Sequence, residues 1–333
     1  MMALLEVKNL VTTFDIHVGK VQAVRGIDFS INEGEKVGIV GESGCGKSVS
    51  MMSILRLLPK YASITSDGMF FDGIDISNPT QQALRAIEGD KIGMVFQDPM
   101  TSLNPLYTIG NQLAEPLRIH RGMTKAQSRE RALELLRLVD MPDPESRLSQ
   151  YPHELSGGMR QRVMIAMAIA CNPKLIIADE PTTALDVTIQ AQILDLLSDL
   201  KNKLNTAIIL ITHDLGVIAG MCERVLVMYA GKIVEAGTTR ELFYNPRHPY
   251  TWGLLRSIPS STATKDKLVP IPGTPPDLIS PPAGCPFAPR CPYAMNICAE
   301  KMPESKNISD THTACCFLMD EQAPGVEWGG VAK

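Results

Sequence analysis

Eight residues, GESGCGKS at 41–48, restrict the fold of this chain more than any other stretch. They follow a short apolar run, KVGIV at 36–40, and precede VSMMSILRLL, which reads as a helix. Strand, glycine-rich loop and helix, in that order, is the context in which G-x-x-x-x-G-K-[ST] binds phosphate. The glycines let backbone N–H groups turn inward, and the helix N-terminus adds its positive end. Lys47 would reach the β- and γ-phosphates of a nucleotide, and Ser48 Oγ would ligate Mg²⁺. Gly41, Ser43, Gly44, Cys45, Gly46 and Val49 complete the expected nucleotide contacts. The Cys45 side chain is a bystander in this reading and a target for thiol reagents.

Three more runs share the character of KVGIV. IGMVF (92–96), LIIAD (175–179) and AIILIT (207–212) are short, continuously apolar and rich in β-branched residues. That pattern belongs to parallel strands covered on both faces. Residues 4–10, 21–31 and 232–236 read as further short strands. Thr124 is a plausible cap for a helix in which Ala132, Leu135, Leu136 and Val139 form one apolar stripe. LIIADEP ends in two carboxylates: Asp179 would help hold Mg²⁺ and Glu180 would polarise an attacking water.

The whole chain sets outer limits. Its 333 residues suffice for one large domain or two modest ones, and 44% hydrophobic with 20% charged residues is a globular composition. A net charge of −4 offers no basic surface, so no nucleic-acid partner is expected. No apolar run approaches a membrane helix, and the first residues lack the pattern of a secretory signal. A cytoplasmic location follows as the expectation, with any membrane role requiring separate membrane subunits.

LSGGM at 155–159, followed by RQR, resembles the signature motif of ATP-binding cassette (ABC) proteins. Gln97 in VFQDP, Thr183-Ala184-Leu185-Asp186 and His213 in ITHD resemble the family's Q-loop, D-loop and switch histidine. The resemblance covers residues 4 to about 250. It implies an α/β fold, a P-loop NTPase core of RecA type with an antiparallel β subdomain and a helical subdomain at roughly 98–172. The ABC domain would span 1–258 and a small Pro/Cys-rich segment 259–333. It further implies that Ser156, Gly157 and Gly158 act in trans on the nucleotide of a partner subunit. In the same way Gln97 joins Ser48 and Asp179 at Mg²⁺, Asp186 belongs to the D-loop, and Phe14 stacks on adenine. The implied enzyme hydrolyses ATP to ADP and phosphate, coupled to translocation.

A narrower resemblance rests on QDPMTSLNP (97–105), residues 151–194, NPRHPYT (245–251) and GCPFAPRCPYAMNIC (284–298). These are similar to the D-type ATPase subunits of bacterial dipeptide/oligopeptide importers. That implies a paralogous second ATPase subunit, two membrane permeases, an extracytoplasmic peptide-binding protein and a peripheral place on the cytoplasmic membrane face. Relatives that import nickel or other small solutes are the alternative. A soluble, non-transport ABC ATPase is a second one, which the acidic charge and single cassette disfavour. A redox or metal-handling protein is a third.

Beyond residue 258 the chain is rich in proline and small polar residues, which reads as an extended surface linker. The spacing C-x5-C-x6-C at Cys285, Cys291 and Cys298, with Cys315 and Cys316 further on, matches neither the usual zinc knuckles nor the common ferredoxin runs, and disulfides do not suit a reducing compartment. With little else for the segment to fold around, a metal would tie it down. Spacing leaves zinc and an Fe–S cluster open; the resemblance favours [4Fe–4S] on Cys285, Cys291, Cys298 and Cys316. Cys171 and Cys222 read as buried small hydrophobes.

Overall fold

The computed structural model describes residues 3–183, 185–257 and 270–326. Among them, one sheet runs in the order Lys306–Asn307, Thr313–Ala314, Lys232–Thr238, Arg224–Tyr229, Lys36–Val40, Ala207–Thr212, Leu175–Asp179, Ile92–Val95. The last five strands are parallel. All four runs read from the sequence as doubly covered strands lie in this parallel block. Alternation explains the cover. Val37, Ile39, Ile177 and Ile209 join one core cluster, while Val40, Ile176, Ala178 and Ile208 join the other. Successive side chains leave opposite faces, so a strand buried on both must be apolar throughout.

A second sheet is antiparallel. Leu5–Ile16 and Gly19–Ile31 form a long hairpin, and Leu5–Ile16 also pairs with Ala62–Thr65 and Gly68–Phe71. The first strand runs six residues past the expected end at Leu10. Its continuation, VTTFDI, is half exposed, so its apolar signal fades although the ladder goes on.

Between Ile92–Val95 and Leu175–Asp179 the chain is helical, with helices from Pro99–Ser102 to Gly157–Ala168. Thr124 caps Lys125–Leu138 in a full capping box with Gln127. Ala132, Leu135, Leu136 and Val139 are fully buried, as the stripe predicts.

The C-terminal segment departs from expectation. Residues 258–269 of the Pro-rich stretch lie outside the described residues. From 270 on, the chain has its own place in the core. Phe287 is 2% exposed and packs edge-on against Tyr229 at 5.3 Å, with Tyr250 at 5.4 Å and His248 at 5.8 Å. Thr313–Ala314 adds a strand to Lys232–Thr238. His312 Nε2 lies 2.8 Å from Glu235 Oε1, both buried, and Glu235 also accepts from the backbone N–H groups of Arg247 and His248. The segment therefore has a core to fold around without a metal. The sequence hid this because Tyr229, Tyr250 and Phe287 are far apart along the chain.

Candidate functional site

The loop 41–48 owes its shape to two glycines that no other residue replaces. Gly41 has φ +154° and a Cβ there would sit 2.2 Å from Met228 O; Gly46 has φ +102° and a Cβ there would sit 2.4 Å from Ala23 O. Lys47 is 5% exposed, and its ammonium donates to Gly41 O at 2.7 Å and Glu42 O at 3.1 Å. Ser48 Oγ donates to Asp179 Oδ1 at 2.8 Å. The loop hydroxyl and the strand-end carboxylate, 131 positions apart, thus already meet. Burial pushes the Asp179 carboxyl up, with the Ser48 hydrogen bond opposing. A divalent cation would reverse that balance by supplying positive charge to a buried anion.

Glu180 lies one residue on, with φ 45°, a conformation that a residue with a side chain adopts at a cost. Its carboxylate sits in a polar cluster. Gln97 Nε2 donates to Glu180 Oε2 at 3.2 Å, Thr183 Oγ1 donates to the same oxygen at 2.9 Å, and His213 Nδ1 is 3.5 Å from Oε1. Glu180 N–H donates to Ile211 O, fixing the turn against the neighbouring strand. Thr183 is a contact that the sequence reading placed only within the D-loop. Its signal was its position three residues after Glu180.

One cleft of about 580 Å³ collects these groups. Ala23, residues 42–49, Gln97, Glu180 and His213 line it. Cys45 belongs to the lining through its place in the loop. Its thiol is 4% exposed and its pKa is raised by burial, which corrects the expectation of a reactive thiol. Phe14 is not in the lining. It pairs with Val21 on the hairpin, and its ring lies 6.1 Å from that of Tyr61, an aromatic that sequence reading did not single out.

Ser156, Gly157 and Gly158 also lie outside the cleft. Ser156 caps the helix Gly157–Ala168, accepting from Met159 N, and is exposed. A helix N-terminus with open N–H groups is an anion site, and this one lies outside the lining of this chain's own phosphate cleft. Asp186 accepts from Ile189 N at 2.9 Å and caps Val187–Leu204. Ala184 is outside the described residues. The arrangement provides a phosphate cradle, a buried carboxylate beside a hydroxyl for a cation, and a carboxylate held by an amide and an imidazole.

The family model described as ABC transporter matches residues 24–183, which contain most of this cleft. The chain is 52% identical to the dipeptide transport ATP-binding protein of Bacillus subtilis over 330 residues, 99% of this chain and 98% of that one. The chain belongs to the ABC transporter ATP-binding family. A second family model, oligopeptide/dipeptide transporter, C-terminal region, matches residues 234–298 of this ABC ATPase. The oligopeptide transport ATP-binding protein of Escherichia coli is 52% identical over 319 residues, covering 96% of this chain and 94% of that protein. A solved ATP-binding cassette in a dimeric post-hydrolysis state, bound to ADP and phosphate, matches with a TM-score of 0.64 at 33% identity. It covers 71% of this chain and 99% of that one.

The cysteines of the ABC ATPase divide into groups. Cys171 and Cys222 are buried at 1% and 7%, and burial pushes the Cys222 thiol up to about 12. Cys285 N–H donates to Cys298 O at 2.7 Å, drawing two distant turns together. Burial first, and then the Cys285, Cys291 and Cys298 thiols, push Cys316 up to about 12. Burial likewise raises Cys285 to about 11, with Cys298 and Cys291 adding to it. Cys315 points elsewhere, with Sγ 3.6 Å from Ile233 O. Among the described residues, however, no three His, Cys, Asp or Glu side chains form a group that could hold a metal ion. The expected zinc or [4Fe–4S] centre on Cys285, Cys291, Cys298 and Cys316 thus finds no preformed coordination group. The aromatic core around Phe287 already holds the segment.

Proposed function

We propose that this ABC ATPase powers the import of dipeptides or oligopeptides. The observation that carries the reading is the cleft lined by Lys47, Ser48, Gln97, Glu180 and His213, with Asp179 tied to it through the Ser48 hydroxyl. Lys47 and the loop amides bind the phosphates of ATP, and Ser48, Gln97 and Asp179 hold Mg²⁺. Glu180 takes a proton from the attacking water, and His213 orients that water against the γ-phosphate. Ser156, Gly157 and Gly158 complete the site of a second subunit, and Asp186 lies at that contact. Phe14 and Tyr61 together offer the adenine an aromatic platform. In this reading residues 1–258 form the ATPase domain and 259–333 its C-terminal segment.

The peptide assignment is supported by the names of the relatives and by the C-terminal match at residues 234–298. No helix among the described residues is long and apolar enough to cross a membrane. The protein works from the cytoplasmic membrane face, beside a paralogous ATPase, beneath two permeases supplied by an extracytoplasmic peptide-binding protein. Reconstitution with those permeases in vesicles tests this. ATP hydrolysis should rise when peptide-loaded binding protein is added; hydrolysis indifferent to peptide, or stimulated by nickel instead, overturns the substrate.

We also infer a [4Fe–4S] cluster on Cys285, Cys291, Cys298 and Cys316. Its support is the family resemblance of the cysteine spacing, together with the Cys285 N–H to Cys298 O hydrogen bond that brings two of the four positions together. A bound cluster would supply positive iron that lets buried thiols ionise. This chain's residues would bind it and shield it from water. Iron, sulfide and zinc should be measured on protein purified without oxygen. About four irons per chain, lost in C316S and kept in C315S, is expected; a colourless protein overturns it.

A further inference from the structure

Glu42, the second residue of the phosphate loop, is gripped by a residue 248 positions away. Arg290 Nη1 and Nη2 donate to its two carboxylate oxygens at 2.5 and 2.9 Å, the forked geometry that only arginine gives. Arg290 is anchored independently of Glu42. Nη1 also donates to Tyr229 Oη at 3.2 Å and Nε to Pro272 O at 2.8 Å, and its side chain is 5% exposed. The Glu42 backbone is held from the same side, since its N–H donates to Tyr250 Oη at 2.8 Å.

The inner side of this turn has a different partner. Lys47 Nζ donates to the carbonyls of Gly41 and Glu42. A nucleotide phosphate would compete for Lys47 and weaken those two bonds. Arg290 and Tyr250 then hold the turn from outside. We propose that Arg290 is a positioning residue for ATP, whose fork on Glu42 keeps the phosphate loop in its binding shape. The inference rests on the reading of residues 41–48 as the ATP site. It makes the cysteine-bearing segment part of the nucleotide-binding apparatus, because Arg290 closes the turn Ala288–Arg290 and directly precedes Cys291.

The test is an equilibrium titration of the full-length chain with a fluorescent ATP analogue and Mg²⁺, alongside thermal melting. R290A and E42Q should each raise the Kd about tenfold, and R290K should recover part of that through its charge. The double variant R290A/E42Q should bind no worse than either single one, because both remove the same fork. Wild-type Kd in R290K and E42Q, with a lowered melting temperature only, would reduce the pair to a structural tie and overturn the proposal. So would additive losses in the double variant. K47A separates the two readings: if it too binds like wild type, residues 41–48 are not the ATP site.

Discussion

Single residues carry the chemistry, and two of them are held in ways that suit a reaction. Asp179 and Glu180 are neighbours, but the left-handed backbone at Glu180 sends them to different tasks. Asp179 is buried against Ser48; Glu180 is reached by Gln97, Thr183 and His213. The substitution E180Q keeps the size and the capacity to accept hydrogen bonds, yet removes the proposed base. Hydrolysis by E180Q should fall by about 10²- to 10⁴-fold while ATP binding persists, and the protein should collect as an ATP-bound dimer. Single-turnover hydrolysis and gel filtration with ATP measure this; wild-type turnover would remove Glu180 from the role of base.

At the scale of elements, the helices between Ile92–Val95 and Leu175–Asp179 show local and tertiary forces agreeing. Thr124 and Gln127 close a capping box, and the stripe from Ala132 to Val139 is buried against neighbouring helices. T124A should cost about 1 kcal/mol in urea unfolding, and T124S should restore most of it. Strands were legible where both faces are buried. The hairpin strand past Leu10 was not, because a half-exposed ladder carries a weak pattern. The Thr313–Ala314 strand had no sequence signal. Two residues cannot show a period, and that strand is held by pairing with Glu235–Ala236 on one side and Lys306–Asn307 on the other.

At the scale of the whole molecule, the C-terminal segment is bound to the cassette through an aromatic cluster and buried polar contacts. F287A should destabilise by about 3–5 kcal/mol, seen as a lowered urea midpoint, since it empties a site among Tyr229, Tyr250 and His248. The same cluster sets an acid limit. His248 is buried and burial lowers its pKa from 6.5 to about 3. The unfolded chain therefore takes up a proton first on acidification. The contribution of His248 is complete above pH 6.5 and is lost as pH falls from there toward about 3. H248N, which keeps an acceptor for Tyr250 N–H, should flatten that part of the stability profile. Unfolding midpoints across this range, followed by fluorescence of the buried Trp252, provide the comparison.

What the sequence by itself determined is whatever depends on residues adjacent in the chain. The strand–loop–helix of 36–54, the apolar parallel strands, the helix caps and the order of the family motifs are all of this kind. A backbone turn or a helical period is specified within a few residues. The tertiary structure alone decided the rest. It brought Ser48 to Asp179 and Glu180 to Gln97, and placed Ser156 outside the cleft and Phe14 beside Tyr61. It also turned an expected surface segment into a packed one whose Arg290 grips Glu42. Such contacts join residues tens to hundreds of positions apart. They arise from burying apolar surface and pairing charge across the folded chain, and no local pattern records them.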